Sequence, residues 1–147
     1  MGETHPITLR NVSNLQVLLL DEAEGLDKSE AKFIIDVAKY ELEDTLDAFE
    51  AMNDPWTYRK EMVSLRINLA FVAVWQGKPK KARKYLRQIK EVELPSDDLL
   101  TQRITNLENS VAQLEEKRLA RSSYIDWKVD AGCSCLFVVF VVDVGIQ

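Results

Sequence analysis

From Ile67 to Trp75 every residue except Asn68 is apolar, a pattern with no polar face, which predicts a helix buried on most sides. Charge follows closely and the run is too short to span a bilayer. Gly77 supplies a stop, and Lys78-Pro79 restarts the chain with proline in a first-turn position. Beyond it Ala82, Leu86 and Ile89 recur at i, i+4 and i+7, so a second helix faces back onto the first. A small residue such as Ala82 is wanted where two antiparallel helices approach closely.

The same reading extends along the chain. A first helix starts near Thr8, carries Leu9, Val12, Leu15, Leu18 and Leu19 on one face, and ends before Gly25. Asp27 and Glu30 form a D-x-x-E capping box for a second helix, whose apolar positions Ile34, Ala38, Leu42, Leu46 and Phe49 carry it to Met52. Asn53-Asp54-Pro55 ends that helix; Asp54 is the expected cap, and Pro55 the expected start, of a third helix reaching Gln76. The fourth covers Pro79 to Val92, Leu94-Pro95 is a stop, and Ser96 is the expected cap of a fifth helix reaching Arg121. Leu100, Ile104, Leu107, Val111 and Leu114 make a narrow seam on the fifth, and two heptads favour a capping helix on the preceding hairpin over a coiled coil.

Past Asp130 the helical pattern stops. Residues 131–147 form an apolar tail whose segment 136–142, Leu-Phe-Val-Val-Phe-Val-Val, is β-branched and aromatic and shorter than a membrane span. Three readings stay open for it: a membrane-touching or partner-inserted tail, an element docked on the body, or a segment with little selected role.

Composition changes this picture little, and charge changes it more. At 147 residues with 46% apolar and 29% charged, one globular domain is expected. The formal net charge of −5 argues against a general nucleic-acid binder, yet it hides an acidic stretch from Asp21 to Glu50 and a basic one from Lys78 to Lys90. Met1 to Pro6 has neither a basic nor an apolar signal region, so a cytoplasmic location is expected. Cys133 and Cys135 lack the further cysteines or histidines that a zinc site needs, and no metal or cofactor is expected. His5 is the sole histidine and there is no glycine-rich phosphate loop, so the chain reads as a non-enzyme.

Gly2-Glu3-Thr4-His5-Pro6-Ile7-Thr8-Leu9, followed by Asn14-Leu15, resembles the G-E-x-H-P-x-T-L-x-x-x-x-N-L signature of kinesin-light-chain-like tetratricopeptide repeats. Asn68-Leu69-Ala70, Gln76-Gly77-Lys78 and Ala82 resemble the N-L-A, Q-G-K and small-residue positions of the same repeat. The interval from Asn14 to Asn68 exceeds the period of that family, and His-Pro is absent from the second match. The resemblance implies an all-α chain of antiparallel helix hairpins, stacked as a short right-handed tetratricopeptide-like superhelix. Residues 1–130 would form that domain, with the best repeat over 63–95, a partial repeat over 2–31 and a capping helix over 96–121. Repeats of this kind usually come three or more together, which suggests the end of a larger array or a short descendant of one.

The expected function is a non-catalytic adaptor or scaffold that binds a protein or peptide segment in a helical-repeat groove. In the family resembled, the asparagine at this helix position points into the groove and clamps a bound peptide backbone, which marks Asn68 and, by the same match, Asn14. The residue-level alternative for Asn68 is an internal hydrogen bond, since a buried amide must find a partner. Lys80, Lys81, Lys84 and Arg87 are the expected basic edge for an acidic segment. The alternative function is a nucleic-acid or phosphate-binding module using helix 78–90, disfavoured because Tyr85 falls on its packing side. Membrane contact is disfavoured too, with 136–142 the candidate for it.

Overall fold

A computed structural model describes residues 5–23, 25–93 and 96–130 of the chain. Among them are five α-helices and one 3-10 turn: α1 (Pro6–Ala23), α2 (Lys28–Glu50), the turn Pro55–Tyr58, α3 (Arg59–Trp75), α4 (Pro79–Lys90) and α5 (Asp98–Asp130). The chain is thus all-helical over the described residues, as its periodicity predicts. Gly2 to Thr4 of the repeat signature, the Leu94-Pro95 stop and the tail 131–147 lie outside them.

Three helix ends have a clear local cause. Asp27 caps α2: its Oδ1 accepts from the backbone N–H of Ser29 (2.8 Å) and of Glu30 (3.1 Å), satisfying two first-turn donors. The end of α3 is a Schellman turn, with Gly77 at φ 68°, its N–H donating to Val74 O (2.9 Å) and the Lys78 N–H to Ala73 O (2.8 Å). Pro79 then begins α4, where its missing N–H costs nothing.

Two expected caps are corrected. The carboxylate of Asp54 makes no cap bond to the backbone; it accepts from Thr57 Oγ1 (2.5 Å), and Pro55 opens a 3-10 turn ahead of α3. Asp97, one residue after the expected Ser96, accepts from the Leu100 N–H (3.1 Å) at the start of α5. That helix continues to Asp130, nine residues past the expected end at Arg121.

The chain divides into a first compact unit ending at Val111 and a second beginning at Ala112, with the division inside α5. In the first unit α1 packs chiefly on α2 and α3 on α4, while α2 and α3 join the two hairpins. The main core takes side chains from all five helices, among them Leu9, Leu42, Phe49, Leu69, Leu86 and Leu107. Burying a leucine or phenylalanine stabilises by about 1.5 to 3 kcal/mol, so this cluster is the principal source of cohesion. Ala82 is 0% exposed at the α3–α4 crossing. The expected face of α1 is only half right: Leu9 is buried, but Leu15 and Leu18 are 54% and 61% exposed while Gln16 and Ala23 point inward.

Candidate functional site

A groove of about 880 Å³ runs along one side of the first unit. Its walls come from α1 (Asn14, Val17, Leu18, Leu20, Asp21), α3 (Ser64, Asn68, Phe71, Val72, Val74, Trp75) and α5 (Arg103, Ser110), with Ile35 of α2. On α3 the lining passes from polar to apolar, from Ser64 and Asn68 to Phe71, Val74 and Trp75. Leu18, which the periodicity had placed inside, is part of this surface.

Asn68 is the centre of the polar end. It is 4% exposed, and its Oδ1 accepts from Arg103 Nη2 at 2.5 Å. Its Nδ2 is buried with no hydrogen-bond partner. The internal bond accounts for one end of the amide, which is tied to α5, while the other end is buried without a partner among the described residues. Arg103 also donates from Nη1 to Ser64 Oγ (3.3 Å). Burial pushes its guanidinium down from the ordinary value, with Asp21 on the same groove opposing the shift, and arginine stays charged throughout. Asn14 is exposed and lines this groove as well as a smaller neighbouring pocket of about 230 Å³ with Arg10 and Lys60.

The structure brings Asn14 and Asn68 together in one groove and keeps the basic helix apart from it. None of the lining comes from α4. Lys80, Lys84 and Arg87 are exposed at i, i+4 and i+7, and no ion pair joins them to a described residue. Lys81 is different: its Nζ lies 3.0 Å from Glu43 Oε1 of α2 and 5.9 Å from the centre of the Tyr85 ring. Lys39 holds the other Glu43 oxygen at 2.9 Å. Burial raises the Glu43 carboxyl, but the bonds from these two lysines outweigh it and hold the group below its ordinary value. Lys81 is thereby engaged in tying α4 to α2. Tyr85, the aromatic of α4, is buried, which leaves its cationic face without a stacking surface.

Arg103, Ser64 and Trp75 are groove residues that the sequence did not single out. Arg103 lies between Leu100 and Ile104 of the α5 seam, and a lone cation at the edge of an apolar stripe is the one signal that points to it. Among the described residues no group of three or more His, Cys, Asp or Glu side chains is placed to hold a metal ion, and no helix is long and apolar enough to cross a membrane. Comparison of the chain with protein-family models, with curated proteins and with solved structures finds no match.

Proposed function

We propose that this chain is a non-catalytic protein–protein interaction module, a tetratricopeptide-like adaptor or scaffold that binds a protein segment in the groove of α1, α3 and α5. The observation that carries the reading is the groove's composition: a buried amide with an unspent donor at one end, and exposed apolar side chains, Leu18 and Trp75, at the other. Extended peptides present both kinds of group, backbone carbonyls to accept and side chains to bury. Support also comes from the alternation of the walls, since stacked helix pairs line one concave side with every second helix, and here the first, third and fifth supply all of the lining except Ile35 of α2. The charged face of α4 lies off this groove and is assigned no role in it.

The test is selection of short peptides from a display library on the full chain, followed by amide hydrogen exchange of the complexes. Bound peptides are expected to slow exchange in α1, α3 and the start of α5, and Leu18→Glu, at an exposed position, is expected to abolish binding without lowering the melting temperature. Peptides that protect α4 alone, or that bind Leu18→Glu unchanged, overturn the groove reading.

A further inference from the structure

We propose that this chain pairs with a second copy of itself through the outer faces of α2 and α4. The two-fold axis runs parallel to both helices and lays the acids of each protomer over the bases of its partner.

Every exposed residue of α4, namely Lys80, Arg83, Lys84, Arg87 and Lys90, is a cation. From Tyr40 onward the exposed residues of α2 are Tyr40, Asp44, Asp47 and Glu50. Lys90 is engaged by Glu108 (2.6 Å) and Glu50 by Arg66 (2.6 Å). Lys84 and Arg87, like Asp44 and Asp47, make no ion pair with a described residue.

The two helices lie side by side, joined by Lys81 to Glu43 (3.0 Å) and by the Tyr85 hydroxyl donating to Glu43 (3.5 Å). Each packs against α3, and the connections on either side of α3 reverse the chain, so α2 and α4 run in the same direction. Their contacts also fix the register. Lys81 and Tyr85 meet Glu43 across separations of 38 and 42 positions, so a residue of α4 stands level with the one at the midpoint separation, about 40 positions earlier, in α2. Lys84 is thus level with Asp44, Arg87 with Asp47, and Lys80 with Tyr40.

Within one protomer these side chains point outward and do not meet. A two-fold rotation about an axis between the helices and parallel to them keeps every residue at its own level and exchanges α2 with α4. Lys84 then faces the partner's Asp44 and Arg87 the partner's Asp47. Lys80 faces the ring of the partner's Tyr40, 67% exposed and open to a cation over its face. Each pair recurs once through the symmetry, as a closed interface requires. A two-fold laid across the helices would set α2 on α2 and acid on acid, which the same charges oppose.

The size of this face sets the strength. Two helices side by side, each about 10 Å wide and about 18 Å long over α4, offer on the order of 400 Å² per protomer, roughly half of what a stable interface buries. The pairing is therefore weak and screened by salt. None of these side chains lines the groove of α1, α3 and α5, so the interface is independent of the groove.

Sedimentation of the full chain at increasing protein concentration tests this. The mass is expected to rise from one chain toward two as concentration approaches about 1 mM in low salt, and to return to one chain in about 1 M salt. Two charge-reversed variants, Lys84→Glu with Arg87→Glu and Asp44→Lys with Asp47→Lys, are each expected to stay monomeric. Their circular dichroism is expected to be unchanged, because all four positions are exposed. Mixed in equal amounts they are expected to form a one-to-one heterodimer, since every reversed acid then faces a reversed base. The milder Asp44→Asn removes one pair on each side of the axis and is expected to weaken dimerisation about threefold to tenfold. Should a reversed variant lose its helical signal, unchanged dimerisation of Asp44→Asn decides against the pairing. A chain that is monomeric at every concentration, folded reversed variants that dimerise alone, or a mixture of them that stays monomeric each overturns it. Masses that climb past two chains would show an open head-to-tail contact, and association that salt does not weaken would assign it to apolar surface; either result overturns the two-fold interface.

Discussion

At the scale of single residues, the strongest constraint on Asn68 comes from the eight apolar neighbours it interrupts. An amide in such a run cannot stay dry and unpaired without a cost on the order of 1 to 3 kcal/mol, so the need for a partner is legible from the chain alone. The identity of the partner is not, because Arg103 lies 35 residues away on another helix and nothing local links the two. Ala82 is the opposite case. Its size and its spacing from Leu86 and Ile89 already place it at a helix crossing, and the structure leaves it 0% exposed. Ala82→Leu forces extra methylenes into that crossing and is expected to destabilise by about 1 to 3 kcal/mol in thermal or urea unfolding. An unchanged midpoint would mean that α3 and α4 separate there without cost.

Among elements, α3 and α4 were readable because each gives one unambiguous signal: an almost unbroken apolar run for the first, and for the second a basic helix whose apolar positions all fall on one side. The first helix gives too many. Leu15, Val17, Leu18, Leu19 and Leu20 surround α1, so spacing alone cannot choose the inward face, and the polar Gln16 takes a buried position that no periodicity would assign to it. The groove explains the excess, since Val17 and Leu18 serve its wall while Leu9 and Ala23 serve the core. Leu9→Ala is accordingly expected to cost about 2 to 5 kcal/mol. Leu15→Lys, at a 54% exposed position, is expected to stay within about 0.5 kcal/mol. Paired chemical denaturation measures both, and equal losses would show that α1 is turned differently about its axis. Capping was legible where a carboxylate stands directly before a helix, as at Asp27, and misread at Asp54, where the proline diverts the chain into a 3-10 turn first.

For the molecule as a whole, acid is the condition that acts on several joints at once. The Asp27 carboxyl is held below its ordinary value first by the Glu30 backbone N–H and then by Ser29. Lys60, followed by the Leu100 N–H, does the same for Asp97. A depressed carboxylate stabilises the fold above its unfolded value, near pH 4, and loses that contribution as pH falls through the lower folded value. Melting temperature is therefore expected to fall below about pH 4, and Asp27→Asn, which keeps an acceptor but cannot titrate, is expected to give a shallower acid slope in the same series of melts. An identical slope would show that the α2 cap plays no part in acid unfolding. Away from acid, the separation of α4 from the groove has a consequence for how this protein handles. Its charge of −5 is an average, whereas Lys80, Lys84 and Arg87 stand exposed on one helix and Asp36, Asp44 and Asp47 on another. Within a Debye length, about 8 Å in physiological salt, a charged matrix senses the nearest helix and not the sum. The protein is thus expected to bind cation- as well as anion-exchange resins at neutral pH and low salt, through a surface that its isoelectric point gives no reason to suspect; flow-through on a cation exchanger under those conditions would show that the exposed cations of α4 do not act as a patch.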